Sequence, residues 1–311
     1  MSEIEKDKAI SKLKSKHASS DMILLVAGDL SYANSIQPQW DNWFQLMEPL
    51  IRETPIMVAA GNHEIECDAK TFMPFLSYES RFYMPNQLGD AIIEPVDGDA
   101  YNQKWGCATP SVFEGQYDYG NAFYSFDHGM VRTIVLSSYS ETRVGSRQHT
   151  WLVEELKNAQ QNRDEGFTPW ITIMMHTQFY TTFQGHDAEK ETIDMKESME
   201  DLFRDYGVNL VLSGHDHAYM RSNPMYKGKL DKRGKSPIYL IVGEGGNREG
   251  HNKAYLHPNP EDWVAVRDKS VYGFGLLEVK NSTTAHWRWN MDGKDENDGF
   301  HDNVWLTNQF I

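Results

Sequence analysis

Short apolar runs recur along the chain between amphipathic or polar stretches: MILLVAG (22–28), PIMVAAG (55–61), RTIVLSS (132–138), WITIMMH (170–176), VNLVLSG (208–214) and IYLIVGE (238–244). Runs of this kind read as buried strands. Between them, NWFQLMEPLIRE (42–53), SRQHTWLVEELKNAQQNR (146–163) and KETIDMKESMEDLFRDYG (190–207) carry helical spacing. Ser146 is placed to cap the second helix and Gly207 to stop the third. Strands alternating with helices predict an α/β fold. The rhythm changes near the end. GLLEVKN and TTAHWRWN, within residues 275–290, alternate with period two and set Ala285, Trp287 and Trp289 on one face of an antiparallel edge or second sheet. Residues 65–120 show little periodicity and many Pro, Gly, Asn and aromatic residues. A loop of that length in a compact domain points to an elaborated site. No repeat, low-complexity stretch or Pro/Gly/Ser linker divides the chain, so residues 1–292 read as one domain and 293–311 as a C-terminal tail.

Composition supports a globule: 40% of the residues are hydrophobic and 24% charged, unlike a disordered chain. Asp and Glu outnumber Lys and Arg by 45 to 30, and a net charge of −15 repels nucleic acid and anionic membranes. Neither is expected as a partner. If such a chain acts on an anionic substrate, bound cations are the simplest source of local positive charge. Cys67 and Cys107 are too few for a cysteine zinc site or a disulfide scaffold, and either a bridge or two thiols fits the sequence. No apolar run reaches the roughly 20 residues of a membrane span. The N-terminal MSEIEKDKAISKLKSK lacks the apolar stretch of a signal peptide. Asn281-Ser282-Thr283 fits the glycosylation sequon, a short pattern that gives weak support for secretion.

The chemistry gathers at strand ends, where ligands bind in open α/β sheets. The run MILLVAG leads into Asp29 and Tyr32, PIMVAAG into Asn62, His63 and Glu64, WITIMM into His176, and VNLVLSG into His215 and His217. Oxygen donors with imidazoles, and no thiolate, suit Fe, Mn or Zn. A lone strand-end Asp is usually a turn or cap residue, and GNHE by itself reads equally as a polar turn. GHDH is harder to dismiss, because alternate residues of an extended chain project to one side, so His215 and His217 can converge on one or two ions. The ordered set, each member at a strand end, points to a metal centre.

Together GDLSY, GNHE, the MMH strand end and GHDHAY resemble the calcineurin-like metallophosphoesterases. The Tyr of GD-x-x-Y, with GHDHAYMRS, VGEGGNREG and AHWRWN, is most similar to the purple acid phosphatases, over residues 10–292. The resemblance implies a four-layer α/β/β/α sandwich, with two mixed sheets flanked by helices. It also implies a dinuclear centre of Fe(III) with Zn(II), Mn(II) or Fe(II). Asp29 would bridge the ions, Tyr32 and His217 would hold the ferric ion, and Asn62, His176 and His215 the other. The phenolate of Tyr32 would give the purple charge-transfer colour. His63 would contact the phosphate or its leaving group with Glu64 as partner, and His186 would reach the phosphate. The implied reaction is attack of metal-activated hydroxide on a small phosphate monoester.

Three departures stand against the family pattern. The implied Asp-x-Gly motif of an opening strand, a further ferric ligand, is missing: residues 1–20 hold no apolar strand, and Asp7 is followed by Lys8 and Ala9. AISKLKSK reads as the helix that would follow that strand, so the chain reads as beginning just past the motif. Gly185 and His186 stand where a His pair is implied, and Gln178 replaces the implied Pro. A dinucleotide site in GEGGNREG (243–250) is disfavoured, since no helix follows it. The expected function is an acid phosphatase. The alternatives are a phosphodiesterase or pyrophosphatase on the same fold, or a non-catalytic metal-binding protein lacking the first ligand Asp. A secreted, vacuolar or lysosomal location is implied by resemblance, and oligomeric state is not legible.

Overall fold

The computed structural model describes residues 22–66, 74–85, 117–291 and 302–311. The strands are β1 (Leu24–Val26), β2 (Ile56–Val58), β3 (Tyr124–His128), β4 (Val131–Val135), β5 (Trp170–Met175), β6 (Leu210–Ser213) and β7 (Tyr219–Ser222). They continue with β8 (Met225–Tyr226), β9 (Lys229–Leu230), β10 (Ile238–Val242), β11 (Val264–Asp268), β12 (Gly273–Val279), β13 (Thr284–Met291) and β14 (Asp302–Thr307). The helices are α1 (Pro38–Ile51), α2 (Leu76–Glu79), α3 (Arg147–Asp164) and α4 (Lys190–Asp205). All six apolar runs contain a strand. Of the three expected helices, α1 starts earlier than the apolar spacing suggests, because Pro38 sits in its first turn, where the ring's fixed φ suits a helix start.

A mixed sheet runs in the order β11-β7-β10-β6-β5-β4-β3. Its alternating side chains split the core in two. Ile134, Ile171, Ile173, Met175 and Val211 face Leu152, Leu156, Met195, Met199 and Phe203 of α3 and α4. Those helical residues recur at one-turn intervals, which is why the sequence amphipathicity was readable. Val135, Met174, Leu210, Leu212 and Leu240 face the other way and join Val58, Trp287 and Trp289 in the second cluster. There the parallel pair β1-β2 and the antiparallel sheet β12-β13-β14 form the second sheet layer. This is the layered α/β arrangement of sheets and helices expected from sequence.

Ser146 caps α3 by accepting from the N–H of His149 (3.3 Å). Helix α4 ends where Gly207 takes φ +67° and its N–H donates to the carbonyl of Arg204 (3.1 Å). Ala285, Trp287 and Trp289 are buried on one face, as their period-two spacing predicted. Residues 302–307, which sequence set apart with the tail, instead form β14 against β13. Their anchor is Asp302, whose carboxylate takes two hydrogen bonds from Arg221 (2.6 and 3.0 Å) and one from the Tyr219 hydroxyl (2.6 Å). Tyr219 accepts in turn from the Trp287 indole (2.8 Å) and stacks on Trp289. Sequence periodicity cannot show such a pairing, because the partners lie far apart in the chain. Cys67, Cys107 and Asp7 lie outside the described residues. Among the described residues, no helix is long and apolar enough to cross a membrane.

Candidate metal centre

The carboxyl ends of β1, β2, β5 and β6 meet at one point. The Gly214 N–H donates to the carbonyl of His176 (2.9 Å), and the His176 ring bonds the carbonyl of Ala27 (2.7 Å). Two glycines make this convergence possible. Gly28 holds φ +87°, and a Cβ there would lie 2.4 Å from His176 Nδ1 and 2.8 Å from the backbone of Gly61. A Cβ on Gly61 would meet Asp29 Oδ1 at 2.2 Å. Any side chain would push the ligand-bearing loops apart.

Asp29, Tyr32, Asn34, Ser35 and His215 all take positive φ, between 47° and 67°. Left-handed backbone is uncommon for such residues and concentrates at functional sites. The turn of His215 corrects the extended reading of GHDH. Its imidazole faces His176, whereas His217 faces Tyr32, so the two rings serve opposite halves of the cluster.

All of the ligands expected from sequence come together. In one half, Tyr32 OH lies 2.9 Å from His217 Nε2 and donates to Asp29 Oδ2 (3.3 Å). In the other, His176 Nε2 lies 3.0 Å from Asn62 Oδ1 and 3.0 Å from His215 Nδ1. The same Asp29 Oδ2 is 3.3 Å from His176 Nε2, which places it between the halves. Metal–donor bonds of about 2.0–2.1 Å separate neighbouring donors by about 2.9–3.4 Å in octahedral or tetrahedral shells. The donor set therefore already has the spacing of coordination polyhedra. Asp29, His176 and His215 form a three-donor group able to hold one ion.

Each imidazole expected to bind metal is fixed through its other nitrogen. His176 Nδ1 bonds Ala27 O (2.7 Å), His217 Nδ1 bonds Gly250 O (2.9 Å), and His215 Nε2 bonds Glu189 Oε2 (2.6 Å). Anchoring of this kind sets the tautomer and leaves the inward nitrogen free to bind metal.

Charge in the cluster is balanced by proximity. Burial alone would raise the Asp29 pKa, but His176, His63 and His215 hold it well below the usual carboxylate range. Burial, then the charges of Asp29 and Glu249, push the Tyr32 phenol far up. Burial, with the neighbouring His176 and His186, lowers His215 to about 4, while its hydrogen bond to Glu189 opposes the shift.

The two expected substrate contacts flank this cluster. The His63 ring lies against Tyr32, tilted by 41° with ring centroids 4.0 Å apart, and the His186 ring centroid lies 3.9 Å from that of His215. The partner expected for His63 is corrected. Glu64 does not serve its imidazole: the 3₁₀ turn at Asn62–Glu64 sends the carboxylate back into the backbone. There it accepts from the N–H groups of Asp29 (2.8 Å), Gly61 (2.8 Å) and Leu30 (2.9 Å). His63 Nδ1 instead bonds Asn34 Oδ1 (2.8 Å), and its Nε2 lies 3.7 Å from Glu249 Oε1.

Sequence reasoning also missed Asn247, whose Nδ2 donates to Tyr32 OH (2.8 Å), and Glu189, which bonds both His215 and His186. Asn247 stands just past the end of β10. The strand-end rule that located the ligands would have marked it, had GEGGNREG been tested for more than a dinucleotide cradle.

Residues 6–219 match the profile of the calcineurin-like phosphoesterase family, and residues 236–303 match that of the iron/zinc purple acid phosphatase-like protein C. Probable purple acid phosphatase 20 of Arabidopsis thaliana is 37% identical over 92% of this chain, and the match spans 58% of that relative. The Fe(3+)-Zn(2+) purple acid phosphatase 12 of the same plant is 32% identical over 92% of this chain and is matched over 57% of its own length. The chain thus spans somewhat over half of these relatives. A purple acid phosphatase from yellow lupin (Lupinus luteus) seeds superposes with a TM-score of 0.71 over 97% of this chain and 48% of its own, at 18% identity, a likeness of fold. The chain belongs to the calcineurin-like phosphoesterase family, in its purple acid phosphatase branch.

Proposed function

We propose that the chain is a metal-dependent acid phosphatase acting on small phosphate monoesters. The observation that carries this reading is the placement of Asp29 Oδ2 within 3.3 Å of both Tyr32 OH and His176 Nε2, one carboxylate oxygen shared by two donor groups. A phenol, a carboxylate, an amide oxygen and imidazoles suit Fe(III) on the Tyr32 side and Zn(II), Mn(II) or Fe(II) on the Asn62 side. The relative whose name specifies Fe(3+)-Zn(2+) supports that pairing. Two ions held there would supply a hydroxide nucleophile near neutral pH and would neutralise the phosphate oxygens.

Tyr32 and His217 would hold one ion, Asn62, His176 and His215 the other, and Asp29 would reach both. His63 is positioned for proton transfer: Asn34 Oδ1 engages its Nδ1, so the proton that titrates sits on Nε2, where it is donated to the leaving oxygen. His186 keeps a partly exposed ring beside His215 and contacts the phosphate. The single-domain reading, extended to take in β14, and the secreted or vacuolar location remain parts of this proposal. The test is hydrolysis of p-nitrophenyl phosphate and bis-p-nitrophenyl phosphate between pH 4 and 8, with metal content measured alongside. Turnover of the monoester at acidic pH supports the reading. Preference for the diester, or no turnover by metal-loaded chain, contradicts it.

A further inference from the structure

The loop that carries His186 leads into Glu189, the residue preceding the first turn of α4. This position normally takes Ser, Thr, Asp or Asn, whose side chain bonds the free N–H groups of the helix. Glu189 makes no such capping bond. Its carboxylate instead spans two imidazoles: Oε1 lies 2.6 Å from His186 Nδ1, and Oε2 lies 2.6 Å from His215 Nε2. Both bonds have the length of charge-assisted contacts. One side chain thereby joins a metal-ligand imidazole to the imidazole beside the phosphate position. His186, Glu189 and His215 also form a three-donor group, but both carboxylate oxygens are engaged by ring nitrogens.

We propose that Glu189 is a positioning residue that fixes two histidines at once. Through Oε2 it holds His215 so that Nδ1, 3.0 Å from His176 Nε2, faces the second-ion position. Through Oε1 it orients His186 and keeps its Nδ1 protonated, leaving Nε2 to meet the phosphate. Helix α4 supplies the stiffness, because Met195, Met199 and Phe203 pack it against the central sheet. The proposal rests on the metal-centre reading of His176, Asn62 and His215, and it adds that metal retention and phosphate contact share one carboxylate.

The test uses the full chain and Zn(II) as probe. Zn(II) affinity is measured by competition with a chromogenic chelator, and kcat and KM are measured on p-nitrophenyl phosphate, for wild type, E189A, E189Q and H186A. Losing an outer partner of a metal-ligand histidine weakens binding about 10–100-fold. E189A is expected to weaken Zn(II) by that factor and to lower kcat, whereas H186A lowers kcat with Zn(II) affinity unchanged. E189Q keeps one acceptor for two histidines, so it falls between E189A and wild type and guards against a folding defect. Wild-type Zn(II) affinity in E189A and E189Q, with E189A folded, overturns the proposal. Wild type that binds no Zn(II) overturns the metal-centre reading beneath it, a failure separate from the first.

Discussion

The backbone N–H of Asp29 donates to Glu64 Oε2 at 2.8 Å, so the side chain that reaches both donor groups rests on a carboxylate 35 residues further along. The same Glu64 accepts from Gly61 and Leu30 and is buried. It ties the loops after β1 and β2 into one platform.

E64A should therefore loosen the candidate centre without altering any expected ligand. It strands three N–H donors, and each unsatisfied buried donor costs about 1–3 kcal/mol. At roughly 2–4 °C per kcal/mol for a domain near this size, Tm should fall by about 6–12 °C or more. Metal retention should fall with it. Calorimetry on metal-free and metal-loaded chains checks both, and an unchanged Tm removes Glu64 from this role.

N34D should shift the pH dependence of turnover. Burial lowers the His63 pKa, and Asn34 offers its Nδ1 a neutral acceptor. A carboxylate there favours the protonated ring and raises its pKa by about 1–3 units. If protonated His63 donates to the leaving oxygen, the alkaline limb of kcat/KM moves to higher pH in N34D. An unmoved limb shows that another group sets it.

Y32F should abolish visible charge-transfer absorption of the iron-loaded chain, because the phenol lies among the expected ferric ligands. Asn247 Nδ2 donates to the same hydroxyl, so N247A should shift the band while keeping it. Absorption spectra of the three chains decide the matter. A band that survives in Y32F contradicts the ligand assignment.

Stability of the metal-free chain should depend on Asp216, which is fully buried and follows His215 in the chain. Burial raises its pKa from 3.8 to about 7. The folded state keeps a proton that the unfolded chain releases, so its contribution is present below pH 3.8 and is lost as pH rises through about 7. D216N should flatten the fall in Tm over that window. An identical slope in D216N places the titration elsewhere.

Much of the candidate centre was legible because its expected ligands obey a short-range rule. Asp29, Asn62, His176 and His215 each follow an apolar run closely, and strand direction in a sheet carries them to one end. Asn34, Glu189 and Glu249 obey no such rule: left-handed turns and a loop before α4 bring them in, and backbone conformation is not written in hydrophobic pattern. Glu64 misled because its neighbour in sequence is His63, while its partners in space are the N–H groups of Asp29, Gly61 and Leu30. In the fold, the buried strands of the central sheet were legible, since burial on both faces makes their runs continuously apolar. Strand β14 was not, because a buried Asp302–Arg221 pair holds it and no apolar run announces it.

The most direct test is metal per purified chain, by elemental analysis, for wild type, H176A and H217A. The account predicts about two ions per wild-type chain, with iron among them. H217A should lose iron first, and H176A the divalent ion. A wild-type chain that holds one ion or none after loading, or variants that lose both metals equally, contradicts two donor groups sharing Asp29.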